Sequence, residues 1–218
     1  MSAWAETRSE AETFRFVLRR ETRAEHDELD GHPAFAALIG GKLSFDGYRS
    51  LMLAFHGFYS DLDKPLEQAC DQFGLDRLGF RYEPRTAILA SDLAMLGADA
   101  PTSSNGRPAG RHLRLDSIEA LGGALYVFEG SLLGASVLCA STDALMERTG
   151  SRGNAYWKWC REAAPKRWAM TCRLIEGLAT TDHAKGPMIG GAKMAFRSFA
   201  TWLDNWNDAL LQGSRNPC

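Results

Sequence analysis

The chain has no excess of one charge, no paired cysteines and no long unbroken apolar run, and each lack removes a class of function. With 25 Lys and Arg against 27 Asp and Glu the formal charge is -2, so the bulk electrostatics call for neither nucleic acid nor an anionic membrane. The five cysteines, Cys70, Cys139, Cys160, Cys172 and Cys218, form no CxxC pair. An odd number without metal-ligand spacing fits reduced thiols in a cytoplasmic protein better than a disulfide framework. The opening MSAWAETRSEAETF has early acids and no apolar core of a signal peptide. No run reaches the roughly 18 apolar residues a membrane span needs. A soluble, cytoplasmic protein is therefore expected. There is also no internal repeat, P-loop, dinucleotide fingerprint or convincing strand alternation, which points to an all-α fold. At 218 residues and 45% hydrophobic content the chain suffices for one domain with a sizeable core. Its expected limits are 9–211, between short tails 1–8 and 212–218.

What is present is glycine in an unusual place. Asp116 to Ala140 reads as one buried helix, yet Gly122, Gly123, Gly130 and Gly134 sit inside it. Each interior glycine costs about 1 kcal/mol against alanine, so several in one helix imply a close approach to its backbone. Asp116 is the expected N-cap, with Glu119 closing a capping box. Positions 123, 127, 130 and 134 then share one nearly bare face, occupied by Gly, Val, Gly and Gly. Two explanations stand side by side: a tight helix–helix crossing, or a flat ligand lying against the face.

A partner for such a ligand appears near the N-terminus. Ser9 and Glu12 form a second candidate capping box, opening a helix expected to run to about Asp30 before Gly31, His32 and Pro33 stop it. Leu18, Thr22 and His26 recur every four residues on it. A lone histidine on such a face is ordinarily a core or surface residue, but two neighbours favour a ligand. Asp30, one turn on, suits the second N–H of a metal-bound imidazole. Arg19, about 10.5 Å back along the axis, suits an acidic group at a ligand's rim.

Further along, Pro33 to Ile39 reads as a short helix ended by Gly40-Gly41. Ser44 opens a longer one that Pro65 should kink or divide. Residues 84–96 make another helix, and the Pro/Gly/Ser-rich segment after it, containing His112, is the best loop. Beyond a turn at Ser151–Asn154, residues 152–173 carry Arg152, Lys158, Arg161, Lys166, Arg167 and Arg173 against Glu162 alone. Such a cluster is either a solvated face or an anion-binding wall. After a break at Thr180–Gly186, a last helix over roughly Met188–Leu211 places Phe196, Phe199, Trp202, Leu203 and Trp206 at core spacing.

LRRETRAEHDELD, followed by the glycine-broken ALYVFEGSLLGASVL, resembles the heme oxygenase family, above all its bacterial biliverdin-producing members associated with bacteriophytochromes. SFDGYRSLMLAFHGFYSDL and the late AKMAF fall at matching order and spacing. The resemblance implies heme held between a proximal helix and a kinked, glycine-rich distal helix. His26 is then the iron ligand and Asp30 its acidic partner. Gly130 and Gly134 match the distal glycines, Arg19 a basic residue near the propionates, and Tyr59 a tyrosine of the distal hydrogen-bond network. Phe35, Leu38 and Phe196 fall at heme-packing positions, while Lys166, Arg167 and Arg173 are candidates for the later propionate contacts. The departures lie at the chemistry. Ser131 stands where many members have an aspartate that organises distal water, Val127 at a nearby arginine and Phe199 at an asparagine. Oxygen activation needs a proton delivered through that network. The resemblance implies that heme is substrate and cofactor, cleaved with molecular oxygen and external electrons to biliverdin, carbon monoxide and iron. It implies a ferredoxin or flavoprotein reductase as donor and a bacteriophytochrome as a possible acceptor of biliverdin. The alternatives are a heme-binding protein without turnover, or the same fold around a non-heme ligand.

Overall fold

The computed structural model of the chain describes residues 13–99, 113 and 115–213, the last ten by backbone alone. Its elements are α1 (Phe14–Glu21), α2 (Arg23–Asp30), α3 (Pro33–Ile39), α4 (Phe45–Gln72), a 3-10 turn (Leu75–Leu78), α5 (Thr86–Met95), α6 (Ile118–Thr149), α7 (Ala155–Leu178) and α8 (Asp182–Gly213). No strand occurs among the described residues, as the lack of alternation implied. The Ser9–Glu12 box, His112 and the side chain of Trp206 lie outside the described residues.

The long helix α6 is the axis of the bundle, flanked by α7 and α8. Ser117, not Asp116, caps it, accepting from the Ala120 amide at 3.1 Å. Its far end runs to Thr149, nine residues past the expected stop, where Gly150 turns the chain at φ 64°. An 18-residue window of α6 has a mean hydropathy of 1.5 and would pass for a membrane span by length and composition. Glycines and Glu129 conceal that character in the sequence; here 56% of the window is buried between neighbouring helices.

The first half of the glycine face is a helix crossing. A Cβ on Gly123 would land on the Met188 carbonyl and 2.8 Å from the Ala192 amide, and one on Gly191 would land on the Ala120 carbonyl. Backbone meets backbone at α6 and α8, so neither position has room for a side chain. Gly57 of α4 does a similar service for Trp202, whose ring stands 2.9 Å from the missing Cβ while its indole N–H donates to the Ala54 carbonyl at 2.7 Å.

Other boundaries also differ from expectation. The N-terminal helix is divided at Thr22, whose hydroxyl donates to the Leu18 carbonyl at 2.7 Å and whose backbone leaves the helical region. Pro65 neither ends nor divides α4, which continues for seven residues beyond it. Packing of its buried face, including Leu62, Leu66 and Ala69, outweighs the donor that proline removes. α8 starts at Asp182, with the Thr181 hydroxyl accepting from the Ala184 amide at 3.3 Å. The start of α1 is held from a distance: Glu176 of α7 accepts from the Phe14 and Arg15 amides at 2.9 Å each. That remote carboxylate satisfies two of the amides that a helix start leaves open.

Candidate functional site

α2 presents His26 outward. Its side chain is 55% exposed, and Nδ1 lies 3.3 Å from Asp30 Oδ2 one turn on. Among the described residues Nε2 has no polar partner, so the carboxylate orients the ring and leaves one nitrogen for a ligand. The edge of Phe196, from α8, approaches the imidazole at 5.9 Å between centroids. Arg197 reaches back from α8 to Glu25 at 3.4 Å and ties the two helices beside this histidine.

The second half of the glycine face differs from the first. A Cβ on Gly134 would meet nothing within 4 Å, and the stripe around it carries the exposed apolar side chains Leu133 and Val137. An apolar stripe with an open glycine offers a flat surface without a protein partner among the described residues. Gly130, one turn earlier, is partly covered: its missing Cβ lies 3.2 Å from the ring of Trp168. Trp168 in turn packs on Tyr126 at 5.4 Å. Burial raises the Tyr126 phenol, partly opposed by the nearby cation of Arg19, which is itself exposed.

The expected packing residues separate. Phe35 is half-buried and meets Phe55 edge-on at 6.4 Å, and Phe196 lies beside His26. Leu38 and Val127 are buried at 2% and 5% exposure, enclosed by protein. Phe199 stacks edge-on with Phe58 at 4.9 Å and Phe55 at 5.6 Å, in an aromatic cluster between α4 and α8.

Tyr59 and Ser131 are brought together. Tyr59 is 1% exposed, its ring 6.2 Å from that of Tyr156 between centroids, and Ser131 is close enough to influence its phenol. Burial pushes its pKa up, against the pull of Arg85. Ser131 donates to the Phe128 carbonyl at 2.8 Å.

Arg167 is placed otherwise than a propionate contact requires. It is 2% exposed, its Nε and Nη2 donate to Glu129 at 2.6 and 2.8 Å, and Nη1 meets Glu83 at 2.8 Å. Arg85 approaches the same Glu129 at 3.1 Å, with both side chains fully buried. Burial works against the Arg85 cation, but Glu129 and the surrounding phenols outweigh it and the guanidinium stays charged. Asp63 fixes the segment, accepting from the Tyr82 hydroxyl, the Arg85 and Thr86 amides at 2.8 Å and the Thr86 hydroxyl at 2.6 Å. Lys166 and Arg173 are exposed and keep their charge available. Sequence reasoning missed this cluster; the one signal was Glu129, the only charged residue between Glu119 and Asp143, which demands a buried cation. Among the described residues no group of three or more His, Cys, Asp or Glu side chains is arranged to hold a bare metal ion.

The fold and site thus define an all-helical protein with an open imidazole on one helix and a bare apolar stripe on another. The family model for heme oxygenase matches residues 12–205. A solved heme oxygenase from Leptospira interrogans shares the fold, with a TM-score of 0.73 at 18% identity, covering 88% of this chain and 99% of that one. No curated protein matches the chain. The chain belongs to the heme oxygenase family. It is a heme-degrading enzyme that takes heme as substrate and uses oxygen.

Proposed function

We propose that heme lies between the imidazole of His26 and the open stripe of α6, within a single domain spanning 9–211, and that it is cleaved there to biliverdin, carbon monoxide and iron. The observation that carries this placement is the state of His26: Nδ1 lies 3.3 Å from Asp30 while Nε2 has no polar partner among the described residues and the ring stands exposed. That is the donor arrangement an axial ligand to iron needs. Bound heme supplies the iron chemistry and the oxidisable ring. The protein's own residues position and enclose it. Asp30 fixes the ring orientation and raises the donor strength of His26. Gly134 leaves room for a flat face, with Gly130 at the border of that space, and Phe35 and Phe196 pack around it. Arg19, with Lys166 and Arg173, supplies cations for the carboxylates. Ser131 and Tyr59 hold the distal hydrogen bonds in place of an aspartate. Val127 and Leu38 act from behind, as packing beneath the heme-facing surface.

The chain shows no flavin or nicotinamide fingerprint, so a ferredoxin or flavoprotein reductase supplies electrons, in the cytoplasm, and a bacteriophytochrome is a fitting acceptor for biliverdin. Hemin titrated into the purified protein, then reduced with ascorbate in air beside an iron chelator, tests the proposal. A Soret band that decays into the broad red absorption of biliverdin supports it. A saturating band that persists supports sequestration without turnover, the reading that the serine at 131 favours.

A further inference from the structure

The open stripe of α6 has an end. Counted around the helix at about 3.6 residues per turn, Gly130 falls between Leu133 and Gly134 and nearly in line with Val137. It is the continuation of the stripe toward the start of α6, about 6 Å along the axis from Gly134. The two glycines meet different surroundings. A Cβ on Gly134 would meet nothing within 4 Å, whereas one on Gly130 would face the six-membered ring of Trp168, with Cζ3 at 3.2 Å, Cη2 at 3.8 Å and Cε3 at 3.9 Å. Trp168 comes from α7 and is half-buried. One turn before Gly130, Tyr126 supports the indole at 5.4 Å between centroids and a tilt of 52°.

An indole is broad, flat and rigid, with only two side-chain torsions. Gly130 lets it lie back against the helix. A side chain at that position would push it outward across the stripe, because 3.2 Å is already inside the ordinary separation of two carbons. A porphyrin is broader than one helical turn, about 5.4 Å, so a macrocycle laid over Gly134 reaches Trp168 with its edge. The contact is at the rim of the ring. An axial histidine holds iron along a single direction and leaves the macrocycle free to turn in its own plane. A fixed wall at the rim removes that freedom, because the substituents around a heme are unlike one another.

We propose that Trp168 is the end wall of the heme surface and the specificity-determining residue of this enzyme: by blocking in-plane rotation it selects which edge of the macrocycle is opened. Gly130 serves this wall by making room for the indole, and Tyr126 supports it from behind. The inference rests on the placement of heme on the α6 stripe.

Proton NMR of the ferric hemin complex of the full chain, with cyanide added as a probe, reads the rotation directly through the pattern of heme methyl resonances. The wild type should show one seating in excess. Trp168→Ala should raise the second seating about fivefold relative to the first, the weight of one aromatic contact, with the mixture of biliverdin isomers following it, and Trp168→Phe should fall between. If Trp168→Ala fails to fold, Trp168→Phe decides alone. Gly130→Ala should weaken hemin binding about fivefold with Trp168 present and less than about twofold in the Trp168→Ala or Trp168→Phe background, since the two changes act on one contact. A methyl pattern that stays at the wild-type one in folded Trp168 variants overturns the inference, as does a wild type with both seatings equal. An equal loss from Gly130→Ala in both backgrounds also overturns it, because Gly130 would then meet heme without the indole. Hemin that fails to bind the wild type, or whose binding ignores Gly134→Ala, would instead strike the placement of heme and remove the inference with it.

Discussion

Alanine at two glycines of the same helix should have opposite effects. At Gly123 the new methyl is directed at the Met188 carbonyl and the Ala192 amide, both backbone, so relief requires α6 and α8 to separate. Overpacking of this kind costs about 1–3 kcal/mol, and the upper end applies where no side chain can swing away. The better helix propensity of alanine returns about 1 kcal/mol. The net loss is about 2 kcal/mol, which for a chain of this size lowers the melting temperature by about 4–8 °C. At Gly134 the methyl meets nothing within 4 Å, so only the propensity gain remains. Gly134→Ala apoprotein should melt about 2–4 °C above wild type, yet bind hemin more weakly because the methyl enters the space assigned to heme. Thermal unfolding of the two apoproteins by circular dichroism, with hemin titrations alongside, measures all of this. A Gly123→Ala protein as stable as wild type would refute the crossing argument, and a Gly134→Ala protein with lower stability or unchanged hemin affinity would refute the open-face argument.

Two further substitutions probe the buried charges. Arg167→Leu removes one of the two cations on Glu129 and should destabilise the fold by about 3 kcal/mol, seen as a fall in melting temperature, while hemin affinity stays within about twofold; a large loss of hemin affinity in a well-folded variant would return Arg167 to the propionates. His56 is 5% exposed, and burial lowers its pKa below the ordinary 6.5, partly opposed by Asp63. The unfolded chain therefore takes up this proton at a higher pH than the folded one, so stability falls as pH drops below about 6.5 and levels off once the folded histidine also protonates. Urea unfolding of wild type and His56→Gln between pH 7.5 and 5 should show a shallower decline in the variant; parallel curves would remove His56 as the cause.

Local signals in the sequence reached far into the site. His26 and Asp30 are four residues apart on one helix, so their meeting needs only helical geometry. Ser44 and Pro33 mark element starts by chemistry that is equally local, whereas the end of α6 at Gly150 lies nine residues beyond the expected stop. The glycine face was legible as a place of close approach, but not which approach: Gly123 serves a backbone crossing and Gly134 open space, a division set by where α8 starts, itself six residues earlier than Pro187 and Gly186 suggest. The Arg85–Glu129–Arg167 cluster joins residues from three separate parts of the chain. Nothing local distinguishes Arg167 from its exposed neighbours Lys166 and Arg173, and only the fold turns it inward. Glu176 on the α1 amides is the same case, since a cap supplied from α7 has no signature near α1.

The placement of heme on His26 is tested most directly by the spectrum of the hemin complex of His26→Ala, recorded with and without added imidazole. The account predicts that the variant folds, loses the histidine-ligated absorption and electron paramagnetic signature of the wild type, and regains both when imidazole is supplied. A wild-type spectrum in the untreated variant would contradict it and move the iron ligand elsewhere.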